Sequence, residues 1–231
     1  MPTGTEIFTR AATLLNDADH IRWPLPELCD WLNEGVKAIA LAKPSATAIT
    51  SILKLDYGTK QILKITEAPK PVMLLSLRRN VVNNVQPYVG GRTIRRVDKA
   101  LLDSIEPDWH NRNVVQFRKE VRHLVYDELV PLEYWVYPGN DGTGYVEADV
   151  SVLPPPLVAA GNINSIGSYG ADVGLLELYG GPLLDYVLYR CQLKDDIDGA
   201  AGRSAVHFQQ FASVLGIKIQ VEAGHSPNVR R

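Results

Sequence analysis

Apolar positions near the start of the chain recur at the spacing of amphipathic helices. Ile7, Phe8, Ala11, Leu14 and Leu15 form one stripe and predict a helix over 5–15, capped by Thr3 or Thr5. After a polar link, Asn16 to His20, and a Trp23-Pro24-Leu25-Pro26 entry, a second stripe begins. Leu28, Trp31, Leu32, Gly35, Val36 and Ile39 repeat at i, i+3, i+4, i+7, i+8 and i+11, and the helix closes at Lys43-Pro44. The two helices read as an αα-hairpin. The helical period returns late in the chain with Leu183, Leu184, Val187, Leu188 and Cys191. A last helix carries Ala201, Ala205, Phe208, Phe211, Ala212 and Leu215 and stops at Gly216, a C-cap residue.

Between these ends the period drops to two. Ile49, Ser51, Leu53 and Leu55 alternate with Thr50, Ile52, Lys54 and Asp56, and an extended piece follows through Leu63 and Ile65. Residues 72–82 fit a strand or a short helix, 92–97 a strand, 98–105 a short helix and 114–126 an irregular strand. The strongest β signal lies at 132–153. Tyr134, Trp135, Val136 and Tyr137 precede a Gly-rich turn, after which Val146, Ala148, Val150 and Val152 alternate with Glu147, Asp149 and Ser151. Such a pattern predicts a β-hairpin, ended by Pro154-Pro155-Pro156 because proline cannot donate to a ladder. Residues 157–174 read as a long loop with no drive toward a core. The expected fold class is α+β: terminal helix pairs packed as a small helical bundle, with a β-rich module inserted between them. The expected boundaries are 1–47 with 175–222 for the helices and 48–156 for the β-rich module. Residues 157–174 form the irregular loop and 223–231 a C-terminal tail.

Composition adds limits. The 231 residues suffice for a sizeable core, and a formal net charge of −2 argues against a general-purpose basic nucleic-acid binder. No apolar run approaches the ~18 residues of a membrane span, and the N-terminus lacks a secretory layout. Cys29 and Cys191 sit among apolar neighbours and read as buried free thiols, which suits a reducing cytosol. The expectation is a soluble intracellular product that does not enter a membrane.

The chemistry-bearing residues do not assemble into a known motif. The histidines at 20, 110, 123, 207 and 225 have no metal-ligand spacing. Asp195, Asp196 and Asp198 lack the glycine and closing glutamate of a calcium loop and read as a helix–helix connector. No phosphate-binding glycine loop or nucleophile elbow occurs, so neither catalytic, cofactor-binding nor metal residues are assigned, and an enzyme is not expected. Charge is more suggestive. Residues 78–123 carry ten Lys or Arg against five acids, whereas 124–196 carry eleven acids against two bases. Three readings stand: solvated surface, a head-to-tail contact between neighbouring copies, or a basic face near nucleic acid.

Four segments together resemble the head-to-tail adaptor proteins of short-tailed phages, the tail tubular protein A type. They are Trp23 to Ala46 (WPLPELCDWLNEGVKAIALAKPSA), the Pro107-Asp108-Trp109-His110 corner and the Tyr134-Trp135-Val136-Tyr137-Pro138 strand. The fourth joins Leu183 to Arg190 with the helix from His207 to Gly216. In order and spacing they cover nearly the whole chain.

The resemblance implies a non-enzymatic virion component at the phage neck: a ring, usually of twelve copies, between the portal protein and the tail nozzle protein. Tail fibres lie nearby and genomic DNA passes through the lumen without sequence readout. The terminal helices would pack around the portal side, and the β-rich module would face nozzle and fibres. The alternative is a stand-alone nucleic-acid-binding domain using 78–122. Trp23 and Trp31 are expected in the bundle core, and Trp109 is expected to lock a turn with its indole N–H on a backbone acceptor. Trp135 and Tyr137 mark the aromatic strand. Tyr186 and Arg190 share an i, i+4 face that meets either another helix or a neighbouring copy. Arg95 and Arg96 are candidates for a basic lumen or interface. Arg230 and Arg231 end a tail that either inserts into an adjacent ring or stays disordered until assembly.

Overall fold

In chain order the elements are α1 (Gly4–Leu15), α2 (Leu25–Ala42), β1 (Ala48–Lys54), β2 (Tyr57–Ile62), β3 (Lys70–Val81), β4 (Gly90–Thr93), β5 (Arg95–Arg96) and α3 (Lys99–Ile105). They continue as β6 (His123–Tyr126), β7 (Glu133–Asp141), β8 (Tyr145–Leu153), α4 (Gly180–Lys194) and α5 (Ala200–Leu215). The computed structural model describes residues 1–64, 69–194 and 200–216. The expected extension to Ile65, the connector at 195–198 and the tail with Arg230 and Arg231 lie outside these residues. The described chain is mixed α and β and divides into two compact units. One comprises Met1–Thr47 with the described chain from Leu153 onward; the other lies within Ala48–Val152.

In the first unit Thr3 starts α1 through a reciprocal capping box with Glu6, which satisfies two of the amide groups that a helix start leaves open. Ile7, Phe8, Ala11 and Ala12 are buried, but Leu14 points to solvent. The stripe on α2 is buried from Leu25 to Ala40. The expected αα-hairpin is not the dominant packing, because α1 and α2 meet α4 more than each other. α4 is the hub, packed on α1, α2 and α5, and Gly35 lets it approach: a Cβ there would lie 2.7 Å from Leu183 Cδ1.

The segment after the proline run corrects one part of the loop reading, the missing drive toward a core. Leu157, Tyr169, Val173 and Leu175 are buried in the helical core, and 166–169 forms a 3₁₀ turn. Asn33 of α2 clamps Leu157 by accepting from its N–H at 2.8 Å and donating to its carbonyl at 2.9 Å. Tyr169 stands edge-on to Phe8 with ring centroids 5.3 Å apart. The apolar residues of this segment are too widely spaced to show a period, so its attachment depends on partners far away in sequence.

The second unit is a pair of four-stranded sheets, ordered β1-β8-β3-β4 and β2-β7-β6-β5. Residues 70–81 are a strand, which resolves the strand-or-helix ambiguity. β7 and β8 do not form the expected hairpin. They lie in different sheets, and the Gly142–Gly144 turn crosses from one sheet to the other. The β1–β2 connection crosses likewise, and Leu55 N–H donates to Gly144 C=O at 2.9 Å to tie the two crossings together. Each of β7 and β8 already has two strand neighbours, and the crossing turns their apolar faces into one interior. There Tyr134 and Val136 join Val146, Ala148, Val150 and Val152. The expected strand over 114–126 shrinks to β6, and the expected strand over 92–97 splits at buried Ile94 into β4 and β5 of separate sheets.

β7 is apolar on both faces because a second, smaller core lies behind it. Leu102 of α3, Trp109 and Val125 form this core, with Trp135 and Tyr137 partly buried against it. Trp109 is fully buried, and its indole N–H donates to Asp103 Oδ1 at 2.7 Å, not to the backbone acceptor expected from sequence. Tyr137 donates its hydroxyl proton to Glu106 Oε2 at 2.5 Å, an interaction that raises the phenol's pKa.

Candidate interaction site

Backbone pairing sets where the arginines of the basic segment stand. Asn80, almost fully buried, donates to the carbonyls of Arg92 (2.9 Å) and Val121 (2.8 Å) and accepts from Val121 N–H (2.9 Å). β5 runs parallel to β6, with Arg95 opposite His123, and Arg95 N–H donates to Arg122 C=O at 3.1 Å. Arg92, Arg95, Arg122 and His123 are thereby fixed on strands or at their ends, although Arg122 is distant in sequence.

Part of the charge contrast is neutralised inside the chain. Arg78 donates through Nε to Asp149 at 2.8 Å, Arg79 pairs with Glu147 at 3.3 Å, and Arg96 with Glu128 at 3.1 Å. Arg96 also lies over the Tyr126 ring. These exposed pairs add little stability individually, but they hold the guanidinium groups in place. Arg96 therefore turns toward an acidic partner of its own chain, whereas its neighbour Arg95 does not.

Asp149 carries the densest of these networks, because it also accepts from Thr50 Oγ1 and Ser76 Oγ, each at 2.8 Å. Burial alone pulls its carboxyl upward; the hydrogen bonds from Arg78, Ser76 and Thr50 outweigh that and hold it below the usual carboxylate range. A depressed carboxylate contributes stability above its unfolded pKa, about 3.9, and loses it as pH falls through the lower folded value. The β unit is expected to weaken as pH falls below about 4, and Asp149→Asn to flatten that part of the profile. Urea midpoints at several pH values between neutral and acid check this. An unchanged acid slope in the variant would refute it.

Arg92, Thr93, Arg95, Arg122 and His123 line a concavity of about 370 Å³. Among the described residues no carboxylate pairs with Arg92, Arg95 or Arg122. His123 stacks on Tyr137 with ring planes 22° apart, and its Nδ1 is buried without a hydrogen-bond partner. Burial, followed by the fields of Arg122, Arg95 and Arg92, lowers the pKa of this imidazole. A separate, wider hollow of about 570 Å³ mixes Arg96 and Lys99 with Asp98, Asp103 and Asp127, so cations and carboxylates share its lining.

The other sequence candidates lie elsewhere. Trp23 is buried in the helical unit, its indole N–H on Cys191 C=O at 3.2 Å, and Trp31 lies in the same core. Burial pushes the Cys191 thiol up to about 12 and raises Cys29 as well, which makes both poor nucleophiles. Tyr186 packs its ring against Phe211 of α5, and Arg190 reaches Glu34 of α2 at 2.6 Å. Their shared face thus meets helices of the same chain. Arg92 and Arg122 entered the sequence reading only as part of the basic segment 78–122, and His123 was not assigned to a site. Arg122 and His123 are the less buried pair between buried Val121 and Leu124, and the register that brings them to Arg95 is non-local.

No group of His, Cys, Asp and Glu among the described residues could hold a metal ion, and no described helix is long and apolar enough to cross a membrane. The arrangement is one of contact surfaces and fixed cations. Comparison with protein families matches the SU10 adaptor protein model over residues 2–231. The chain belongs to the SU10 adaptor protein family and is a phage adaptor structural protein. No curated protein matches it.

Proposed function

We propose that this chain forms a ring between portal and tail nozzle, with the genome passing through the ring's channel. The observation that carries this reading is the family match across residues 2–231. In it, a discontinuous helical bundle with an inserted β-rich module forms each subunit. The ring, of twelve copies, meets portal protein, nozzle protein and tail fibres. The β unit supports the reading by keeping Arg92, Arg95 and Arg122 on strands or at their ends, without acid partners among the described residues. The alternative, a stand-alone nucleic-acid-binding domain, has fewer free cations than the sequence implied, since Arg78, Arg79 and Arg96 are paired within the chain.

The purified chain mixed with portal rings is expected to co-assemble into a stack with one adaptor ring, visible by negative stain and by a mass increase in light scattering. Failure to associate across a range of salt and protein concentrations would overturn the proposal.

A further inference from the structure

We infer that Arg92, Arg95, Arg122 and His123 form a binding site for a phosphate oxyanion, either the free ion or the phosphodiester of a nucleic-acid backbone. Three guanidinium groups in one concavity repel one another, and no carboxylate among the described residues offsets them. The other arginines of these strands, Arg78, Arg79 and Arg96, each have an acidic partner. The contrast marks the cluster as specific to this concavity.

Two further features favour an anion. His123 lines the same concavity, opposite Arg95 in the β5–β6 pairing, and adds an imidazole able to donate to a ligand oxygen. Asn80 and the β5–β6 pairing hold the arginine backbones in place before any ligand arrives, so binding has to order only the side chains.

The donor set distinguishes phosphate from carboxylate. One guanidinium fork satisfies both oxygens of a carboxylate, whereas three forks, an imidazole nitrogen and the Thr93 hydroxyl match the additional oxygens of a phosphate group. A volume of about 370 Å³ also leaves room for the atoms flanking a phosphodiester. The lining contains no Phe, Tyr or Trp on which a base could stack, so backbone recognition independent of sequence is the expected mode. This inference does not require ring formation.

The test uses the full chain in chloride buffer at fixed ionic strength, with inorganic phosphate titrated against the ring resonances of His123. Saturable shifts at about millimolar phosphate are expected. Arg95→Ala/Arg122→Ala is expected to weaken binding by at least about tenfold, the order expected for lost charge-assisted hydrogen bonds, while Arg96→Ala leaves it unchanged. Arg95 and Arg122 are exposed, and circular dichroism verifies that the double variant folds. Arg95→Lys/Arg122→Lys, which keeps the charge but not the fork, should fall between.

A fluorescent DNA duplex in a second arm separates the sources. Duplex binding lost in the alanine pair assigns the phosphodiester; phosphate binding without duplex binding assigns the free ion. No saturable phosphate response, an undiminished response in the alanine pair, or tighter binding of oligoglutamate than of phosphate would each overturn the inference. Failure of portal co-assembly would leave these results unaffected, so the two readings fail separately.

Discussion

Asn140→Asp is expected to lower the urea midpoint of the β unit by about 1.5–2.5 M, at a slope of roughly 2 kcal/mol per molar. Asn140 is fully buried where the chain crosses between sheets. Its amide nitrogen donates to Arg118 C=O at 3.0 Å and Lys119 C=O at 2.8 Å, and its oxygen accepts from Gly142 N–H at 2.8 Å and Gly144 N–H at 3.2 Å. A carboxylate of the same shape keeps the two acceptor bonds but turns a donor into an acceptor facing two carbonyls. Burying an unpaired charge in this way costs about 3–5 kcal/mol. The site cannot relax easily, since a Cβ at Gly144 would lie 2.3 Å from the Asn140 amide and 2.4 Å from Lys119 C=O. A midpoint within about 0.3 M of the parent would show that the corner tolerates the charge.

The same corner shows why part of the fold was hidden in the sequence. The alternation on β7 and β8 and the glycines between them were legible, but a hairpin and a crossing between sheets share that pattern. What separates them is the pairing of β7 with β2 and β6, and of β8 with β1, which is set by residues far along the chain. Helices were easier, because α2 carries its own period and Asp98 caps α3 locally by accepting from Ala100 N–H. Val115 and Phe117 imitated a strand. Phe117 instead places its ring edge-on to Tyr57 and over Gly139, contacts that need no ladder. At the candidate site, sequence adjacency made Arg95 and Arg96 look alike. Successive strand residues point to opposite faces, so Arg96 goes to Glu128 and Arg95 to the concavity with Arg92 and Arg122.

Trp109→Ala is expected to destabilise the β unit by about 3–5 kcal/mol, the usual range for emptying a large aromatic site. Trp109 is the largest fully buried side chain and the centre of the small core behind β7. Without it, Leu102 and Val125 lose their common neighbour, and α3 loses the hydrogen bond between the indole and Asp103. Trp109→Phe separates these contributions, since it retains most of the ring volume but no donor; about 1–2 kcal/mol is expected for it. Denaturant unfolding measures both losses, and a red shift in the alanine variant that is absent when Trp135 is also replaced by Phe would report that the core has opened. The effect should extend beyond stability. Tyr137 stands edge-on to Trp109 and stacks on His123, so the indole supports, through one intervening ring, the imidazole that faces the arginine cluster. His123 ring resonances should therefore shift in Trp109→Phe as well. A stable Trp109→Ala protein with unchanged His123 resonances would show that neither the fold nor the cluster depends on this ring.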